Sequence, residues 1–453
     1  MKQGQKRKIA SLSRFLDFWL PQRMNYEHVP GLSLGVVLDG ELVLQRGYGF
    51  ADVERKVRTK PETSYRVASI SKMFTAVAIL QLAEGKKLHL DDAIISYLPW
   101  FQVKCGRRSS KDITIRQALS HTSGMFRDGE HHQWVDDHFP NSAKLKELLS
   151  KETLTFDAHE QFKYSNFAFA LLGEVIQAVS GMEYTKYIEH HIFRPLGMVA
   201  STADVQKSTR DLASGYGRFI PGIKKRAKFS RVKTNAFAAA AGVATNVKDL
   251  ARFAVFLADE RDSVGILGKK SKREMKRIQA RTGDNRDRFY GLGIIISQKN
   301  SRTFYGHEGM FQGFSTHLLI DPVNRVSTII LTNSIEVFVS QIAFTIHNVF
   351  SHAMEDKQNK PDETENFRRF EGYYRGRWGD IAVVQFGEKL FAQGPFEDLE
   401  ESPAMLAPLG RNEFRIEKTN KFDNIGERAV FVREKGKLVL WWGNSVSLYR
   451  IKQ

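Results

Sequence analysis

Residues 69–85, S-I-S-K-M-F-T-A-V-A-I-L-Q-L-A-E-G, decide how the chain folds. From Met73 to Ala83 the stretch is apolar nearly all round, which predicts a helix buried in a core. Gly85 closes it, with Lys86 and Lys87 beyond. At its start Ser69 and Lys72 stand three residues apart, on one face and roughly 5–6 Å apart at Cβ. A serine hydroxyl is a weak nucleophile and needs a base within hydrogen-bond reach. A lysine is such a base only where burial or neighbours keep it neutral. The N-terminus of an apolar helix meets that need and favours negative charge developing beside Ser69. Taken alone, Ser69-Ile-Ser-Lys72 also fits an N-capping serine beside a surface lysine.

The company of the tetrapeptide removes that ambiguity. Tyr164-Ser-Asn166 follows inside F-K-Y-S-N-F-A-F-A-L-L-G (162–173), and Gly306-His-Glu-Gly309 comes later, trailed by Gly313-Phe314. In order and spacing these resemble the S-x-x-K, Y-x-N and H/K-x-G elements of the serine β-lactamase and penicillin-binding family. The likeness is to its class C β-lactamase, D-Ala-D-Ala carboxypeptidase and esterase branch. Landmarks outside the motifs agree: V-P-G-L-S at 29–33, D-D-A-I-I-S-Y-L-P at 91–99, I-R-Q-A-L-S-H-T-S-G at 115–124, F-R-P-L-G-M at 193–198 and Y-G-L-G at 290–293. The resemblance covers roughly residues 25 to 350.

The resemblance implies a role for each matching residue. Ser69 attacks a carbonyl and forms an acyl-enzyme. Tyr164, as phenolate or shared-proton partner of Lys72, takes the serine proton and later activates water. Asn166 holds the substrate amide and orients Lys72. His307 and Gly309 lie on the strand that binds substrate, and the backbone N–H groups of Ser69 and Met310 form the oxyanion hole. His121, in H-T-S-G, is a landmark without an assigned role. No cofactor is implied.

One position departs from the pattern. The third motif reads H-E-G where many relatives have K-T-G, and a histidine is mostly neutral at pH 7. That points toward peptides, including D-amino-acid-containing ones, or small esters, with a class C-like β-lactamase or a catalytically silent binding protein as alternatives. Among other hydrolase patterns, G-x-S-x-G is absent, since Gly313-Phe-Ser-Thr-His ends in the wrong residue. Glu130-His131-His132 with Asp136, Asp137 and His138 lacks the helical spacing of a metal site and reads as a polar loop.

The rest of the chain sets the domain plan. Leu32–Val37 and Glu41–Gln45 flank Asp39-Gly40, a hairpin signal. A second helix is expected over Phe167–Val179, ending at Gly181, with strands at Leu318–Ile320 and Ser327–Thr332. The stretch 355–365 is polar and charged with one proline, a linker candidate. Period-two segments then dominate: 381–386, 429–433, 438–442 and 445–450. The expected fold is an α/β sandwich, an antiparallel sheet flanked by helices with a helical lobe, followed by a small all-β barrel-like domain. The expected divisions are an N-terminal helix (1–24), the hydrolase domain (25–353), a linker (354–366) and the β domain (367–453). In relatives with such an appended domain, it is similar to a lipocalin-like module that narrows the cleft or builds oligomers.

Composition bounds the remaining classes. No apolar run reaches the ~18 residues of a membrane-spanning helix. Lys2, Lys6, Arg7 and Lys8 open the chain, but Arg14 and Asp17 interrupt the apolar stretch behind them and no cleavage pattern appears. Ile9, Leu12, Phe15, Leu16 and Trp19 instead mark an amphipathic helix docked on the body, with a membrane-surface anchor as the alternative. The expected compartment is the cytoplasm. The single cysteine, Cys105, rules out an internal disulfide. The net charge of +17 arises before residue 361, concentrated in Lys224-Lys225-Arg226-Ala-Lys228 and in 269–277. No nucleic-acid motif accompanies these runs. The expected partner is a small-molecule or peptide substrate. Membrane association is not favoured, and a homo-oligomer through the C-terminal domain is left open.

Overall fold

The computed structural model describes residues 3–104, 110–206, 209–223, 225–259, 265–283, 286–299, 301–335, 337–355, 367–395, 403–418, 424–443 and 446–451. Cys105, Lys224 and most of the expected linker lie outside the described residues. Two compact units result: Pro30–Val339, and a second in which Met1–Val29 joins Ser340–Gln453.

In the first unit, β1 (Gly31–Leu38) and β2 (Glu41–Asp52) form the expected hairpin, extended by β3 (Val57–Arg58). A small pair, β4 (Tyr65–Arg66) with β5 (Ala244–Thr245), stands apart. Then come β6 (Ala280–Arg281), β7 (Arg288–Tyr290), β8 (Ile295–Lys299), β9 (Arg302–Phe311), β10 (Phe314–Asp321) and β11 (Val326–Thr332). They build one nine-stranded antiparallel sheet in the order β3-β2-β1-β11-β10-β9-β8-β7-β6. Every residue of β1, β10 and β11 is buried, as expected of central strands covered on both faces. The helix Val247–Ala258 packs across β1, β2, β10 and β11. Its start is capped by Asn246, whose side chain accepts from Asp249 N.

The stretch 69–85 lies at the centre of the helical lobe. A 3-10 turn, Ala68–Ile70, leads into the helix Ser71–Glu84, and its residues from Ser71 to Leu80 are all buried. It packs against the helix Asn166–Ser180 and the short helix Ala238–Ala241. The helix expected to begin at Ser69 therefore begins two residues later, and Ser69 sits in the tight turn before it.

In the second unit, β12 (Gly372–Gly376), β13 (Asp380–Phe386), β14 (Lys389–Gln393), β15 (Ala404–Pro408), β16 (Glu413–Lys418), β17 (Arg428–Glu434), β18 (Lys437–Trp442) and β19 (Val446–Ile451) close into an antiparallel barrel. Closure through β12–β19 removes the exposed edges an open sheet would carry. Phe367, Phe370, Tyr374, Phe414 and Phe431 form its aromatic core.

The N-terminal helix, Gln3–Tyr26, belongs to this unit and not to a separate extension. Leu12, Phe15, Leu16 and Trp19 are fully buried, and the helix lies against β12 and β13. Trp19 Nε1 donates to Gly394 O at 3.0 Å, Arg14 pairs with Glu371 at 2.9 Å, and Tyr26 O–H donates to Asp380 Oδ2 at 2.9 Å. The boundaries expected at 24 and 353 thus differ from the compact units at both ends. At the N-terminal end the physical reason is that the helix's apolar face needs a partner, and a barrel strand supplies it.

Candidate active site

Ser69 is placed by the strand that precedes it. Val67 N donates to Val243 O at 2.9 Å, continuing the β4–β5 pairing, and Ala68 then turns through φ +48°. A left-handed backbone at a non-glycine residue costs about 1 kcal/mol or more and persists only where packing enforces it. Ala68 and Ile70 are buried, while Ser69 between them is half-buried.

Lys72 is wholly buried one turn on. Its Nζ lies 3.2 Å from Ser69 Oγ, 2.7 Å from Asn166 Oδ1 and 2.9 Å from Ala240 O. Burial holds its pKa well below the usual lysine value, Asp128 opposing and Arg127 reinforcing that shift. The last two partners can only accept, so they take two N–H groups. A neutral amine then has its lone pair left for the hydroxyl of Ser69.

Tyr164 completes the group around the serine. Its hydroxyl is hydrogen-bonded to Ser69, and Lys72 Nζ lies 4.8 Å from its ring centre. Burial pushes the phenol upward, with the Ser69 bond opposing, so its resting form is protonated.

Asn166 is not the helix cap. Ser165 fills that role, its Oγ accepting from Ala168 N at 2.9 Å, which frees the Asn166 amide to bridge. Its Nδ2 donates to Asp128 Oδ1 at 2.7 Å while Oδ1 faces Lys72. A carboxylate accepts only, so this neighbour fixes the amide orientation. Asp128 also accepts from Trp134 Nε1 at 2.7 Å, and Trp134 O accepts from Gln312 Nε2 at 2.7 Å. The polar loop 125–140 is thereby tied to both Asn166 and the turn after Met310. Within it His131 Nδ1 lies 2.8 Å from Gln133 Oε1 and His138 Nδ1 2.6 Å from Asp136 O, both local contacts.

His307 stands on β9 and is buried. Its Nδ1 lies 2.5 Å from Glu308 O and its Nε2 2.9 Å from Tyr290 O–H. The carbonyl can only accept, so Nδ1 carries the proton and Tyr290 donates to Nε2. Burial lowers its pKa to about 3. Both ring nitrogens of this neutral imidazole are therefore engaged by the protein.

Gly309 and Met310 follow on the same strand. The β8 ladder reaches β9 only as far as Gly306, and the 3-10 turn of Ser69 packs against β9. A Cβ on Gly309 would come within 2.1 Å of Val67 O, so only glycine lets the turn approach this closely. The Met310 side chain is exposed.

Three contributors escaped the sequence reading. Tyr290 lies in Y-G-L-G, noticed only as a landmark. Asp128 sits in a loop without periodicity, and the contact that gives it a part in the site, to Asn166, is tertiary. His121, left without a role, is fully buried with φ +60°; its Nδ1 accepts from Ser165 N at 3.1 Å and its ring lies 4.2 Å from that of Tyr164. It thus holds the backbone between Tyr164 and Asn166.

Known proteins place this arrangement. The family profile described as Beta-lactamase matches residues 16–338. Protein flp of Staphylococcus aureus (strain MW2) is 29% identical over 321 residues, 70% of this chain and 62% of that protein. The human serine beta-lactamase-like protein LACTB, mitochondrial, is 28% identical over 292 residues, 49% of this chain and 52% of that protein. The chain thus spans between half and two thirds of the length of these relatives. Among solved structures, the octameric penicillin-binding protein homologue from Pyrococcus abyssi superposes with TM-score 0.63 at 24% identity, covering 95% of this chain and 98% of that one. A D-stereospecific amidohydrolase from Streptomyces sp. gives TM-score 0.61 at 23% identity over 73% of this chain and 96% of its own. Sequence profile and fold agree, and the chain belongs to the beta-lactamase family, with its serine hydrolase fold.

Proposed function

We propose that this chain hydrolyses amides or esters through an acyl-enzyme on Ser69. The observation that carries the reading is the buried Lys72 amine, 3.2 Å from Ser69 Oγ, with its two N–H groups taken by Asn166 and Ala240. In the proposed reaction Ser69 Oγ attacks the carbonyl carbon and its proton passes to Lys72 Nζ. Collapse of the tetrahedral intermediate breaks the bond to the leaving oxygen or nitrogen, which takes a proton back through the Tyr164 hydroxyl. Water then attacks the acyl carbon, losing its proton along the same path, and the acid departs. Because Tyr164 rests protonated, the shared-proton role suits it better than that of a phenolate. Backbone N–H groups of Ser69 and Met310 stabilise the oxyanion in this reading.

The proposed substrates are small esters and peptides or amides, D-amino-acid derivatives among them. The neutral His307 offers no fixed charge to a β-lactam carboxylate, which disfavours efficient β-lactamase activity. A fold neighbour named as a D-stereospecific amidohydrolase supports the D-amide arm, and one named as octameric supports self-association.

Intact-mass measurement after incubation with a fluorophosphonate or fluorescent penicillin tests the mechanism. The expected result is one adduct, lost in Ser69→Ala. An adduct that persists in Ser69→Ala removes Ser69 as nucleophile. A panel of p-nitrophenyl esters, D-aminoacyl amides and nitrocefin then ranks the substrate classes.

A further inference from the structure

A finger of chain between Gly215 and Phe229 projects from the first unit. Its arms are held by Gly217 N to Ala227 O at 2.8 Å and Phe229 N to Gly215 O at 3.0 Å. The tip is Ile220-Pro-Gly-Ile223, closed by Ile223 N to Ile220 O at 3.0 Å, with Gly222 at φ +85°. Proline second and a positive-φ glycine third define a type II turn. Such a turn has no structural need for large apolar neighbours. Yet Ile220 and Ile223 are 52% and 53% exposed, and Phe219 is 37% exposed.

A second hairpin stands beside it. Val53 N donates to the Tyr216 hydroxyl at 2.8 Å, that hydroxyl donates to Glu54 at 2.7 Å, and Lys228 bridges Asp52 and Glu54. This β2–β3 hairpin also exposes Val53 in its turn (43%) and Val57 at the start of β3 (49%). Between the hairpins opens a cavity of about 340 Å³ lined by Arg55, Arg66, Lys228 and Arg231, with Asp52 as its acid and Phe314 on its wall. The sequence carries no Asp or Glu from 212 to 248, while Arg218 and Lys225 flank the apolar tip.

Apolar side chains at turn tips, basic residues behind them and a cationic cavity between suit one partner class. We propose that these two hairpins dock on an anionic phospholipid bilayer, the aliphatic tips entering the interface and a headgroup phosphate seating in the cavity. Surface-bound helices use the same division of labour, apolar burial with electrostatic attraction to anionic lipid. The N-terminal helix, the element the sequence offered for a membrane, has its apolar face covered by the barrel. The membrane reading returns here through different residues.

Vesicle co-sedimentation of the full chain tests this. On phosphatidylcholine vesicles with 30% phosphatidylglycerol at low salt, partitioning should exceed that on pure phosphatidylcholine by about tenfold or more and weaken with salt. Ile220→Ser with Ile223→Ser should reduce it by about tenfold. Arg55→Glu with Lys225→Glu should bring it to the phosphatidylcholine level. All four sites are at the surface, so melting temperatures should match wild type. Ile220→Trp should show a blue-shifted emission on anionic vesicles only. Equal partitioning on both vesicle types, or unchanged binding by both double variants, overturns the proposal. A change in sedimentation coefficient of the Ile220→Ser, Ile223→Ser protein without lipid also overturns it, assigning the surface to self-association.

Discussion

Asn166 Nδ2 donates to Asp128 Oδ1 at 2.7 Å, so a carboxylate outside the recognised motifs orients the amide that holds Lys72. Asp128 favours the lysine ammonium electrostatically, while the amide it fixes accepts an N–H of Lys72.

Two effects should therefore separate in Asp128→Asn. Losing the charge lowers the Lys72 pKa further, so the acid limb of kcat/KM, which reports loss of the neutral amine, moves to lower pH. Loosening the Asn166 amide lowers kcat by about ten- to a hundredfold. A pH–rate profile with a good ester substrate reads both. An unmoved acid limb would contradict the electrostatic part.

Lys72 makes stability depend on pH. Its folded-state pKa lies well below the unfolded ~10.4, so between those values the unfolded chain binds one more proton. Stability relative to Lys72→Met should rise with pH across that window, by up to about 1.4 kcal/mol per pH unit. Urea unfolding of both proteins from pH 7 to 9 measures the slope difference. No difference would mean that Lys72 is charged in the folded protein.

On the acid side the histidines act. His307 is lowered to about 3 and His317 to about 4, and His121 is also depressed, each chiefly by burial. Unfolded histidines take up protons near ~6.5, so stability should fall as pH drops from there toward 4. His317→Gln should remove about one proton from that slope, as followed by urea unfolding at pH 6, 5 and 4.

Trp19 tests the docking of the N-terminal helix. It is fully buried, stacks on Phe15 with centroids 5.8 Å apart, and donates to Gly394 O. Trp19→Ala should destabilise the barrel unit by about 3–5 kcal/mol. Calorimetry should show this as a melting transition lowered by about 10 °C. A shift below two degrees would show that the helix adds little to that unit.

Sequence alone determined the juxtaposition of Ser69 and Lys72, the buried helix beside them, the order of the motifs and the all-β character of the C-terminal region. Each of those rests on local periodicity or on residue types at short spacing, which a linear chain displays. The hairpin around Asp39-Gly40 and the apolar face Ile9 to Trp19 were legible for the same reason. Tertiary structure alone decided what that face covers, since an amphipathic pattern states a need for burial but not the partner. It also decided the state of each group in the site. Lys72 has its pKa held down by burial in a core assembled from distant segments, while its partners Asn166 and Ala240 lie 90 to 170 residues away. His307 is held neutral by its burial, which outweighs the opposing bond to its own strand carbonyl and leaves Nε2 to accept from Tyr290. Protonation depends on distance and burial, and neither is written in the spacing of a motif.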